Sequence, residues 1–85
     1  MSISTLVNAA KNEKRIDAVL AEVRAELIRA TQKHGPMKST HEAYGVIAEE
    51  FHEFFLEMIA NDSTRQRAEL IQVAAMGCRA VLDVC

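Results

Sequence analysis

The sequence predicts an all-α chain of three helices that forms a helical bundle by homo-oligomerisation. Hydrophobic residues make up 49 % of the 85 residues, and the remainder is rich in charged residues, which helices tolerate well. Strong helix breakers occur at two places, around Pro36 and at residues 61–63. The chain therefore divides into helices over about 12–33, 40–60 and 64–84.

The first helix carries a single narrow apolar seam. Its apolar residues recur at alternating intervals of four and three, which keeps them on one side of a helix. Gly35 is placed to stop this helix, and residues 1–11 are expected to form a loosely ordered N-terminal segment of one domain that spans residues 1–85. The seam consists of Ile16, Leu20, Val23, Leu27 and Ala30.

The second helix opens with a capping box. Ser39 is the N-cap, and Glu42 follows three residues later, so each side chain can satisfy a free backbone N–H group of the first turn. Aromatic and aliphatic residues then follow at core spacing, which predicts that they pack in the interior. These residues are Tyr44, Ile47, Phe51, Phe54, Phe55 and Met58.

The third helix is apolar around more than half of its circumference. Its polar residues form a narrow stripe of Arg65, Glu69, Gln72, Arg79 and Asp83, which Met76 interrupts. Two short neighbouring helices can hardly cover so wide an apolar arc. The pattern therefore predicts a symmetric homodimer that builds a four-helix or larger bundle, with a homotetramer left open.

Composition excludes several other classes of protein. The net charge of −2 and pI near 5.9 give no basic surface for a nucleic acid polymer. No run of about 18 apolar residues is present to span a membrane, and the N-terminus lacks the apolar core of a signal peptide. Cys78 and Cys85 are too far apart on one helix to form a disulfide, which favours a cytoplasmic location.

The second helix also carries an acidic stripe, consisting of Glu42, Glu49, Glu50, Glu53 and Glu57 within a sector of about 100°. No lysine or arginine lies between Lys38 and Arg65 to balance it. An ordinary solvated face remains an alternative, because the stripe lies opposite the aromatic residues. Glu69 favours a metal site instead, since carboxylates from two packed helices can share one Mg²⁺ ion.

With these residues in place, the sequence resembles the MazG-like all-α nucleoside triphosphate pyrophosphohydrolases, in particular small phage and bacterial members. That family carries Glu-Glu-x-x-Glu on one helix and Glu-x-x-Asp on the next. Here residues 49–53 read Glu-Glu-Phe-His-Glu, and residues 69–72 read Glu-Leu-Ile-Gln. Gln72 stands where catalytic members carry Asp, and an amide can offer an oxygen to a metal ion but cannot act as a base.

The resemblance implies an enzyme that converts a nucleoside triphosphate and water to the monophosphate and pyrophosphate. It implies Mg²⁺, or Mn²⁺, held by Glu50, Glu53, Glu69 and Gln72, which offer oxygen ligands. Glu49 would orient or deprotonate the attacking water. Cationic side chains that could meet the phosphates are Lys33, Lys38 and Arg79.

Three alternatives remain at this point. Gln72 is also what a catalytically silent helical dimer that binds a nucleotide or a protein would carry. Glu49 and His52 have the Glu-x-x-His spacing of ferritin-like di-iron bundles, although three-helix chains rarely build them. A purely structural dimer would tolerate replacement of Glu50 by Gln.

Overall fold

The structure, a computed structural model, describes residues 2–85 as three α-helices. Helix α1 spans Ile3–Lys33, α2 spans Thr40–Ile59 and α3 spans Ser63–Val84. Helix α3 lies in the middle and packs against both others, whereas α1 and α2 contact α3 but not each other within the described residues. A groove therefore remains between α1 and α2, with α3 at its base.

Helix α1 begins nine residues earlier than predicted. Ser2 is its N-cap, and the Ser2 hydroxyl accepts a hydrogen bond from the Thr5 N–H at 3.2 Å. Residues 3–11, expected to be a loosely ordered segment, are therefore part of a regular helix; Met1 lies outside the described residues. The physical reason is that no glycine or proline interrupts the chain between this cap and Lys33.

The loop between α1 and α2 is anchored on the end of α3. His34 ends α1 in an extended conformation, as expected for a chain approaching Pro36, and Gly35 does not adopt the left-handed conformation of a glycine cap. The Met37 side chain is 2 % exposed, and its N–H donates to Asp83 Oδ2 at 2.8 Å. The loop is thus a fixed part of the groove wall.

The cap predicted for α2 forms with one difference in partner. Ser39 Oγ accepts from the Glu42 N–H at 3.1 Å, as predicted. The Glu42 carboxylate accepts from the Lys38 N–H at 2.8 Å rather than from Ser39. The second turn, after α2, uses Asn61 in the left-handed region with φ of 58°, and Asp62 then caps α3.

The core of a single chain is thin. Four of its seven buried apolar residues are alanines, so few large side chains leave water, and α3 approaches its neighbours closely. The Cα radius of gyration is 15.8 Å, compared with about 12 Å for a compact chain of this length. The buried apolar residues are Val23, Ala30, Met37, Ala43, Ala75, Met76 and Ala80.

The predicted interior face of α2 lies mostly outside, which corrects the sequence-based expectation. Tyr44 is 77 % exposed and Phe51 58 % exposed, and only Ile47 and Phe54 of the predicted set are partly buried. The face that packs on α3 instead combines small and aliphatic residues with glutamates. It consists of Ala43, Val46, Ile47, Glu50, Glu53, Phe54 and Glu57.

Helix α3 likewise packs through the side that the sequence marked as polar, and much of its apolar side faces outward. Its predicted polar stripe lies on the packed side, with Gln72 and Asp83 partly buried and Arg79 6 % exposed. Val81 and Leu82 are 64 % and 67 % exposed, and Cys78 also faces outward. Exposed apolar residues on this scale are consistent with the predicted oligomer, because they would be covered between copies.

None of the helices formed by residues 2–85 is long and apolar enough to cross a membrane.

Candidate metal centre and groove

Three carboxylates from two helices meet where α2 packs on α3. Glu50 and Glu53 lie one turn apart on α2, and Glu69 faces them from α3. One oxygen from each lies within 4.8 Å of the others. We call this set the glutamate trio. Small side-chain rotations would bring all three oxygens onto one cation, and hard divalent ions prefer such oxygen ligands.

The glutamate trio has no counter-ion among the described residues. The ion pairs of residues 2–85 all use other carboxylates, and Glu69 Oε2 is buried with no hydrogen-bond donor in reach. Burial, together with the neighbouring Glu53, raises the pKa of Glu50 to about 7 and also raises the pKa of Glu69. Like charges and an orphaned oxygen are the arrangement that a bound divalent cation would relieve.

The groove between α1 and α2 has a volume of about 610 Å³. This volume is in the range of small-molecule sites. Glu50 of the glutamate trio lines the groove, whereas Glu53 and Glu69 are not among its lining residues. The walls carry both signs of charge, with Glu49 and Glu50 on α2 and cationic side chains around the opposite rim. The remaining charged or titratable lining residues are Arg29, His34, Lys38, Glu42 and Arg79.

The predicted site residues divide into three groups: residues that line the groove, Glu53 and Glu69, which belong to the trio but do not line it, and Lys33, which does neither. Glu49, Glu50 and Gln72 line the groove, with Glu49 exposed at the rim and Gln72 partly buried at the base. Lys38 also lines it, beside Glu42.

Lys33 is exposed at the end of α1 and is not among the lining residues. His52 is exposed and stacks on Phe55, with ring centroids 6.2 Å apart, and it is not part of the trio. The Glu-x-x-His alternative therefore gains no support from this geometry.

Gln72 has a neighbour that the sequence did not suggest. Glu26 on α1 has its side chain 15 % exposed and pairs with Arg29 one turn later, although Glu26 itself does not line the groove. The pKa of Glu26 is lowered by hydrogen bonding from Arg29 and, to a smaller extent, from the Gln72 amide. A carboxylate thus lies beside the position where MazG-like enzymes carry Asp, although it comes from a different helix.

Arg29 is the second residue that sequence analysis missed. Its side chain is 52 % exposed in the groove, and the charge of Glu50 helps to raise its pKa. The i,i+3 spacing of Glu26 and Arg29 is common on helix surfaces, so it gave no functional signal. The place of Arg29 in the groove follows only from the packing of α1 alongside α3.

Arg79 is held inside the fold. Its guanidinium donates to the Gly35 carbonyl at 2.5 Å, and its Nε lies 3.7 Å from Asp83 Oδ2. Asp83 in turn accepts from the Met37 N–H. These contacts tie the loop to α3, so Arg79 has fewer free donors for a phosphate than the sequence suggested.

Replacing Arg79 by Met is expected to lower the free energy of unfolding by about 2–3 kcal/mol, because it removes a buried tether and leaves Asp83 without its cation. Chemical denaturation monitored by circular dichroism measures this change. Arg67→Met is the matched control, since the Arg67–Glu22 pair is exposed on both sides and solvent screens it. Equal effects of the two substitutions on the free energy of unfolding would contradict the role of Arg79 in holding the loop on α3.

Comparison of the chain with protein-family models, curated proteins and solved structures finds no match. What the structure itself establishes is an all-α, three-helix protein with many exposed apolar residues.

Proposed function

We propose that the chain is a Mg²⁺-dependent nucleoside triphosphate pyrophosphohydrolase of the MazG-like kind, active as a homodimer or homotetramer. The observation that carries the proposal is that α2 packs on α3 through its acidic side rather than its aromatic side. Its glutamates lie against α3 at the edge of a groove, while its aromatic residues face outward. Burying like charges is costly, so such an arrangement is favoured where a cation ligand compensates it.

The donor set fits the proposed metal ion. Glu50, Glu53 and Glu69 supply carboxylate oxygens, and the amide oxygen of Gln72 lies at the adjoining base of the groove. Mg²⁺ and Mn²⁺ both prefer oxygen ligands of this type. When bound, the ion would neutralise phosphate charge and increase the acidity of a water molecule.

The side chains around the groove would bind and orient the substrate. Arg29 and Lys38 are positioned on its walls to contact a phosphate chain, whereas Lys33 remains a weaker candidate. The Glu49 carboxylate at the rim would accept a proton from the attacking water. The overall reaction, nucleoside triphosphate plus water to monophosphate plus pyrophosphate, transfers no group to the protein.

A second function is favoured by two specific observations. Gln72 replaces an acidic residue, and Arg79 is engaged by Gly35 and Asp83. Both features would reduce the rate of hydrolysis more than the affinity for a nucleotide. The second candidate is therefore a catalytically silent helical dimer that binds a nucleotide at the same groove, and it differs from the first in having no turnover.

The decisive experiment incubates the full chain with each common ribo- and deoxyribonucleoside triphosphate and measures pyrophosphate with Mg²⁺, with Mn²⁺ and with a chelator. The proposed enzyme releases pyrophosphate from at least one substrate, and only with a metal ion present. Metal-dependent nucleotide binding by calorimetry without pyrophosphate release would establish the silent binding protein. Neither binding nor release with any nucleotide and metal would refute both functions.

A further inference from the structure

The N-terminal part of α1 extends beyond the rest of the chain. The Arg67 side chain near the start of α3 pairs with Glu22 of α1, so the preceding part of α1 runs past the beginning of α3. We call residues 3–21 the arm. Every residue of the arm is exposed, and its length at 1.5 Å per residue is about 28 Å.

The arm continues an interface that already exists. Leu20 and Ile16 follow the same seam as Val23, Leu27 and Ala30, which pack against α3. Beyond α3 the seam loses its partner, and both Ile16 and Leu20 are 56 % exposed. Most helical stability in proteins comes from packing of an apolar face, so a partner that covered these side chains would stabilise the arm.

Helix α2 presents a second uncovered seam. Its residues recur at intervals of four, three, four and three, the spacing by which one helix packs along another. None of them lines the groove, so the seam faces away from the candidate site. The seam consists of Tyr44, Ala48, Phe51, Phe55 and Met58, all exposed.

We infer that the arm of one copy packs along the outward seam of α2 in a second copy, and that the second copy returns the same contact. The two elements match in length, since α2 has 20 residues and is about 30 Å long. The contact would be apolar on the α2 side, because the seam lies opposite the five glutamates of this helix.

The exchange of arms explains why α2 can bury its glutamates. Burial of the aromatic seam under the partner's arm supplies apolar stabilisation on the side opposite the glutamate trio. The dimer would therefore brace the helix that holds Glu50 and Glu53. This contact does not depend on the identity of any ligand in the groove.

The first test is sedimentation of the full chain carrying Leu20→Glu. The dimer dissociation constant is expected to rise at least about a hundredfold, because a symmetric dimer contains the substitution twice. Ala18→Glu is the matched control on the opposite side of the arm and should leave the dimer intact. Because Leu20 lies outside the core of the single chain, the helical circular dichroism signal should persist.

The second test identifies what the arm contacts. Cys78 and Cys85 are first replaced by Ser, and single cysteines are then introduced as Asn12→Cys in the arm or Ala48→Cys in α2. Mixing the two proteins with a short bis-maleimide is expected to give at least about tenfold more crosslinked dimer than either alone. Crosslinking of Asn12→Cys with itself would show arm-to-arm pairing, and that of Ala48→Cys with itself would show pairing of two α2 helices.

Either self-pairing result overturns the proposal, as does a wild-type chain that sediments as a monomer or a mixture that yields no mixed product. Loss of the dimer together with persistent metal-dependent nucleotide binding would separate this interface from the function of the groove.

Discussion

Glu53→Gln is expected to reduce pyrophosphate release at least about a hundredfold. Glu53 contributes one of the three oxygens of the glutamate trio, and its replacement removes one negative charge and leaves an amide in its place. Loss of one of three charged ligands weakens metal binding strongly, and interactions made in the transition state are lost with it. The measurement is the initial rate of pyrophosphate release at saturating Mg²⁺ for the best substrate.

Glu57→Gln is the matched control for this prediction. Glu57 lies one turn further along the same helix face, is partly buried, and pairs with Arg65 at 3.8 Å rather than joining the trio. Its replacement removes the same charge and should change the rate by no more than about threefold. If both variants lost activity equally, general loss of acidity on α2 would explain the result and the trio would have no special role.

Glu50→Gln is expected to stabilise the metal-free protein at pH 8 while abolishing its stabilisation by Mg²⁺. The folded chain holds the pKa of Glu50 at about 7, above the ordinary 4.5, because burial and Glu53 oppose ionisation. The folded state therefore binds the proton more tightly than the unfolded state. The stability this provides is complete below about pH 4.5 and is lost as the pH rises through about 7.

The raised pKa of Glu50 limits the loss of folding free energy at high pH to about 3 kcal/mol. Because Glu50 is partly exposed, solvent screening reduces this loss to about 1–2 kcal/mol. For a chain of this size this corresponds to a fall in Tm of roughly 5–10 °C between pH 5 and pH 8. The raised pKa of Glu69 acts in the same direction. Glu22 and Glu26 remain ionised across this range, because Arg67 and Arg29 lower their pKa values.

Thermal unfolding at pH 5 and pH 8, with and without Mg²⁺, measures these effects. Wild type should lose stability towards pH 8 in chelator and regain it with Mg²⁺, because the ion binds the ionised trio. Glu50→Gln should show a smaller fall and little response to the ion. Glu49→Gln, at the exposed rim, should retain the wild-type pH profile. A Glu50→Gln protein that responds to Mg²⁺ like wild type would show that the ion binds elsewhere and would contradict the trio as its site.

The helices were predictable from the sequence because their signals are local. The Ser39–Glu42 cap forms, and the breaks at Pro36 and Asn61 fall where composition placed them. The start of α1 was missed because its first turns show no clear apolar face in the sequence, whereas the Ser2 cap and an unbroken run without glycine or proline allow the helix to begin there. The proximity of Glu50 and Glu53 likewise follows from helical spacing.

The sequence by itself determined which residues share a side of each helix, because the 3.6-residue period fixes their angular separation. It therefore placed the glutamates of α2 together and the aromatic residues together. Only the tertiary structure decided which side faces inward, since Ala43 and Val46 bring the glutamate side against α3 and leave Phe51 outside. Arg29 lines the groove for the same reason. Contacts between helices distant in sequence have no local signature, and the cost of burying charge depends on what the neighbouring helix and a bound ligand supply.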